Sequence, residues 1–273
     1  MRAIAARPCR SVMRAIPASE RLFFAVSVLL FAAGAIATVA CSTTNAGASF
    51  GMSEMSGPMS MAWMRMPGQS LPAFASTFLG MWIVMMMAMM LPSLVPVLAR
   101  YRKTLVLAGA ARPDRLAAVA GAGYFVVWNL FGVGAFALGS TLASAAMQWP
   151  ALMRALPFAA GTVVLLASAL QFTTWKAHHL ACCRSAACAC ASAGVATAWQ
   201  YGIRLGLHCG RCCVGLTAVL LVVGVMDLRA MVLVTAAITA ERLAPAGERV
   251  AHAIGVALGG VGMFLLARAS GLA

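Results

Sequence analysis

From Leu71 to Ala99 the chain runs 29 residues without a charged side chain. A helix needs about 20 apolar residues to cross the ~30 Å hydrocarbon core of a bilayer, at ~1.5 Å of rise per residue. Backbone amides find no water there, so such a run must satisfy them internally as a helix. Comparable stretches recur at Leu22 to Cys41, within Leu116 to Ser140, from about Ala155 to Trp175, in a run ending near Met226, and at Val250 to Ala267. With 63% hydrophobic and 10% charged residues, the chain has too little polar surface for a water-soluble domain. The expected fold is all-α: a polytopic transmembrane helix bundle of about six or seven spans.

Punctuation refines the spans. Pro92 and Pro96 are expected to kink and then end the second one, leaving Arg100, Arg102, Lys103, Arg112 and Arg115 in the loop that follows. The stretch Ala230 to Ala240 is short for a sixth crossing and is bracketed by Asp227, Arg229, Glu241 and Arg242, which read as solvated or snorkelling charges. The first apolar run is longer than the ~7–15 residues of a secretory signal core and reads as an uncleaved helix.

A net charge of +14 would suggest nucleic acid as a partner in a soluble protein. Here the basic residues lie between apolar runs and report orientation instead. A cytoplasmic N-terminus places 16 of the 20 on the inner side and leaves Arg65, Arg154, Arg229 and Arg268 outside. The organisation read from this is a basic cytoplasmic segment (1–21), a first span (22–41), a Met-rich external segment (42–70) and a helix bundle (71–269), in a bacterial inner membrane. The bilayer is the partner, not nucleic acid.

Chemistry concentrates in the cysteines. Seven of the nine lie from Cys182 to Cys213, on the reducing side of the membrane, where metal binding or catalysis is favoured over structural disulfides. In His208-Cys209-Gly210-Arg211-Cys212-Cys213 the helical period puts the three thiols on one face, with His208 near Cys212 and Arg211 opposite. This motif is expected where the chain enters the fifth span. Upstream, His178 with Cys182 and His179 with Cys183 are spaced i, i+4, which lets two side chains grip one ion. Nitrogen and sulfur in tetrahedral array suit zinc, and thiolate with thioether suits copper(I). Cys188 and Cys190 fall in a small-residue linker and read as incidental, and His252 reads as a helix-end residue.

Twelve of the nineteen methionines lie from Met52 to Met90. Met52, Met55, Met59, Met61, Met64 and Met66 read equally as a soft-metal capture segment or as an interfacial segment anchored by Trp63. Met81, Met85 and Met89 form an i, i+4 row within the second span. Such a row serves flexible core packing more often than metal passage, and Met85 and Met89 are the ligand candidates in it.

The string MWIVMMMAMMLPSLVP (81–96), then QFTTWKAHHLACCR (171–184), GIRLGLHCGRCCVGL (202–216), GVMDL (224–228) and Glu241-Arg242-Leu243 resemble a bacterial family of predicted metal-binding integral membrane proteins, otherwise of unknown function. The resemblance covers about residues 75 to 265. The family's fourth-span motif is similar to K-x-x-C-L-x-x-C-R, which Lys176, Leu180, Cys183 and Arg184 match, while His179 stands where the family has Cys. Its later motif, C-x-G-C-C-W, is met by Cys209, Cys212 and Cys213, with Arg211 for Gly and Val214 for Trp. Asp227 replaces a usual Asn. Metal binding is what the resemblance implies, and the histidine exchange leaves the choice of metal open.

The sequence thus points to a membrane protein that binds a soft metal, copper ahead of zinc, at His179, Cys183, Cys209, Cys212 and Cys213, with His208 beside them and His178 and Cys182 as further candidates. Metal storage, sensing or passage, with a metal donor or acceptor protein as partner, is the expected role. The rivals are a thiol–disulfide oxidoreductase using Cys209 with Cys212 or Cys213, and a solute permease with structural cysteines. No phosphate-cradling glycine loop, nucleophilic serine motif or paired catalytic carboxylates are present, which leaves hydrolase chemistry without a basis.

Overall fold

The computed structural model describes residues 70–185, 194–225 and 227–271, together with positions 25, 27, 29, 31–34, 36, 63 and 68. Those between 25 and 36 are helical, and Gly34 lies against Ala88. The remaining elements are α1 (Leu71–Leu107), α2 (Pro113–Gln148), α3 (Pro150–Gln171), α4 (Thr174–Ser185), α5 (Val195–Val223), α6 (Leu228–Leu243) and α7 (Gly247–Ala269). Among the described residues there is no strand, as expected. Helices α1, α2, α3, α5 and α7 are long and apolar enough to cross a membrane.

Helix α1 does not stop at its prolines. It continues through Pro92 and Pro96 to Leu107, so Arg100, Arg102 and Lys103 are helical and not in a loop. An interior proline costs a helix roughly 3 kcal/mol. Trp82, Met85, Met86, Met90, Leu94 and Leu105, all fully buried around these prolines, outweigh that cost by packing. At the end of α1, Arg102 pairs with Asp114 of α2 across a turn in which Gly109 takes a positive φ of 73°.

The pairing of the helices follows from a few contacts. Trp82 Nε1 donates to the Trp128 carbonyl at 3.0 Å, and Phe74 and Phe78 meet Phe136, so α1 and α2 are antiparallel. Helix α5 lies parallel to α2, with Gly202 against Ala120 and Gly210 against Phe131. At Gly202 the backbones approach so closely that a Cβ would sit 2.0 Å from the Ala120 oxygen. Small residues at such crossings are how helices pack where lipid removes the hydrophobic drive between them.

Helix α3 runs antiparallel to α5, with Ala167 beside Gly215, and to α7, where Ser168 Oγ donates to the Gly255 carbonyl at 2.7 Å. Since α5 and α7 point the same way, α6 must return the chain between them. Its 16 residues rise about 24 Å, short of a full crossing. Asp227 caps its start by accepting from Arg229 N at 2.8 Å and Ala230 N at 3.2 Å. Glu241 and Arg242 at its end are buried at 1% and 5% exposure, not solvated or snorkelling as their sequence positions suggest. The reason is that each has a partner inside the bundle.

Candidate metal centre

Helix α5 begins at Val195, so His208 to Cys213 lie in its middle and not where it starts. Cys209 is 14 residues, or about 21 Å, from either end. The helical period brings Cys209, Cys212 and Cys213 to one buried face, and their sulfurs lie within 4.8 Å of one another. Cys209 Sγ is 3.8 Å from Cys213 Sγ, which is 3.6 Å from Cys212 Sγ.

The fourth sulfur comes from α4. Phe172 and Thr173 close α3 with a tight turn, and Thr173 Oγ1 accepts from Lys176 N at 3.3 Å, starting the new helix. That helix lies along α5 with His179 beside His208 and Cys183 beside Cys212, the two sulfurs 3.7 Å apart. The four thiols are 0–2% exposed, and none is in a disulfide. Thiolates sharing one tetrahedral metal at ~2.3 Å stand about 3.8 Å apart. Two sulfurs in simple contact are also this close; what distinguishes the cluster is that three such separations link four cysteines from two helices.

Other helices supply polar groups. Arg242 of α6 reaches in, its Nη1 3.3 Å from Cys209 Sγ and 2.8 Å from Ser93 Oγ of α1. Tyr124 Oη of α2 is 3.1 Å from Cys209 Sγ. No carboxylate forms an ion pair with Arg242 among the described residues, and its Nη2 has no partner there. The neighbouring Glu241 is taken by Lys176, with Nζ 2.9 Å and 2.8 Å from its two oxygens. This buried pair ties the end of α6 to α4 and so holds Arg242 against the thiols. Arg242, Tyr124, Ser93 and the Lys176–Glu241 pair escape a reading by ligand type. The one signal for Arg242 is its place in the Glu241-Arg242-Leu243 string.

The histidines divide. His179 and His208 face each other with ring centroids 5.7 Å apart, one helical turn from Cys183 and Cys212. Both Nδ1 atoms are buried without a partner among the described residues. Burial lowers the His179 pKa, with the Arg211 charge adding to the effect, so its imidazole is held neutral and able to ligate. The Cys183 thiol is pushed up by its hydrogen bond with Cys212 and by burial. His178 and Cys182 contact each other at 3.6 Å on an exposed face, outside the thiol cluster. Met85 and Met89 are buried in the hydrophobic core that includes the four cysteines, with Met86 and Met90 beside them. Cys188, Cys190 and the methionines from Met52 to Met66 fall outside the described residues. His252 stacks on Phe172 at 5.4 Å near the start of α7, away from the thiols.

Residues 79–265 match the family described as "PpoB2: Copper chaperone", and the chain belongs to that family. No curated protein and no solved structure matches it.

Proposed function

We propose that this protein carries copper(I) within a bacterial inner membrane, its N-terminus cytoplasmic, binding the ion at Cys183, Cys209, Cys212 and Cys213 and handing it to an acceptor protein. The observation that carries this reading is the convergence of four buried sulfurs from two helices at separations of 3.6 to 3.8 Å. Thiolates are the ligands that soft copper(I) prefers, and membership of a family described as copper chaperones favours copper over zinc. Arg242 fits the same reading, because a copper–thiolate group is anionic and would neutralise a guanidinium that has no carboxylate partner among the described residues. Burial to 0–2% exposure counts against the oxidoreductase alternative, in which a partner's disulfide must reach the attacking sulfur.

Metal analysis of the protein purified from its membrane under reducing conditions tests the proposal. One equivalent of copper is expected in the native protein and none in the Cys209→Ser/Cys212→Ser/Cys213→Ser variant. Equal, negligible copper in both would overturn it.

A further inference from the structure

We infer that His179 and His208 form a separate two-imidazole site, which receives copper(I) near the protein surface and passes it one helical turn along to Cys183 and Cys212. The inference rests on the copper(I) reading of the thiols. Its basis is the register of α4 against α5: the step from His179 to Cys183 on one helix equals the step from His208 to Cys212 on the other. The two helices therefore present an imidazole rung and a thiol rung about 6 Å apart.

Two features separate the rungs. The sulfurs are fully buried and packed against one another, whereas His208 is only half-buried and His179, 8% exposed, is covered by the exposed Trp175 ring at 4.7 Å. Both imidazoles also keep a buried Nδ1 without a partner among the described residues, a costly arrangement unless something else binds there. Neutral imidazole is a sound copper ligand and holds copper(I) less tenaciously than thiolate, which gives the transfer its direction.

The rung also opens toward charge. Arg204 and Arg211 are exposed on α5 on either side of His208 in sequence, so charged side chains border the half-buried imidazole. The exposed His178 and the half-buried Cys182 lie beside the rung on α4. In the transfer copper remains copper(I): two Cu–N bonds break as Cu–S bonds to Cys183 and Cys212 form. Each displaced thiol proton leaves to water.

The test follows loading in time. Full-length protein in detergent, reduced and free of oxygen, is mixed with copper(I) glutathione, and the copper–thiolate ultraviolet absorption is recorded by stopped flow. The His179→Ala/His208→Ala variant is expected to load at least about tenfold more slowly yet to reach the native copper content and the native resistance to a chelator. His252→Ala, remote from the thiols, is expected to load at the native rate. If the double variant does not fold, His208→Gln at the half-buried member carries the same expectation. An unchanged rate overturns the inference, and so does a lowered final copper content, which would make the imidazoles permanent ligands. Native protein that takes up no copper overturns the copper reading itself and this inference with it.

Discussion

The guanidinium of Arg242 stands 3.3 Å from the sulfur of Cys209, 33 residues away in the chain, buried and without a carboxylate beside it among the described residues. Desolvating a lone cation costs several kcal/mol unless an anion compensates it. Copper held by thiolates would supply that anion, and the ion and the arginine would then stabilise each other.

Arg242→Met keeps most of the side-chain volume and removes the charge. Copper(I) affinity is expected to fall by about 10- to 100-fold, the usual effect of removing a group that supports metal ligands. The metal-free protein should be no less stable, because it loses a buried charge that no carboxylate pairs with among the described residues. Competition against a chromophoric copper(I) chelator, with thermal unfolding beside it, measures both.

Lys176 and Glu241 form a buried ion pair between α4 and α6. Glu241→Ala leaves the ammonium buried alone and should destabilise the protein by about 3–5 kcal/mol, while Lys176→Met/Glu241→Met should recover most of that loss. Unfolding midpoints of the three proteins in one detergent test this. A single variant as stable as the native protein would show that the pair does not hold the two helices together.

At Gly202 a methyl group would meet the Ala120 carbonyl oxygen at 2.0 Å, and backbone cannot rotate away. Gly202→Ala should force α2 and α5 apart at a cost of about 1–3 kcal/mol and shift Tyr124 from Cys209. Gly134→Ala on α2 meets nothing within 4 Å and should be neutral or stabilising, by up to about 1 kcal/mol from helix propensity. Paired melting curves separate the two.

Cys183 is held protonated by its hydrogen bond with Cys212 and by burial, so copper must displace a proton to bind there. The apparent copper(I) affinity should therefore rise with pH, by about tenfold per pH unit for each proton released. Affinities measured across roughly pH 6 to 8 in one non-coordinating buffer, corrected for chelator protonation, check the sign. A flat profile would mean that the site binds without deprotonating its thiols.

The sequence-level reading of helices rests on long charge-free runs, which leave the backbone no alternative in lipid, and it holds for the all-α architecture. The shared face of Cys209, Cys212 and Cys213 was likewise legible, because helical period alone decides it. The continuation of α1 past Pro92 was not, since local proline cost says nothing of the Trp82 and Met90 packing that offsets it. Nor was the meeting of Cys183 with Cys212, which depends on how α4 turns back at Phe172 and Thr173. Arg242 was the least legible: beside Glu241 at the end of a short apolar stretch it looks solvated, and only the fold reveals that Lys176 claims the glutamate.

Copper at the meeting of α4 and α5 would be surrounded by the sulfurs of Cys183, Cys209, Cys212 and Cys213. X-ray absorption at the copper edge of the loaded, reduced full-length protein tests this most directly. Copper(I) with three or four sulfur neighbours at about 2.3 Å and no nitrogen shell is expected. A first shell dominated by nitrogen or oxygen, or protein that retains no copper to measure, would contradict it.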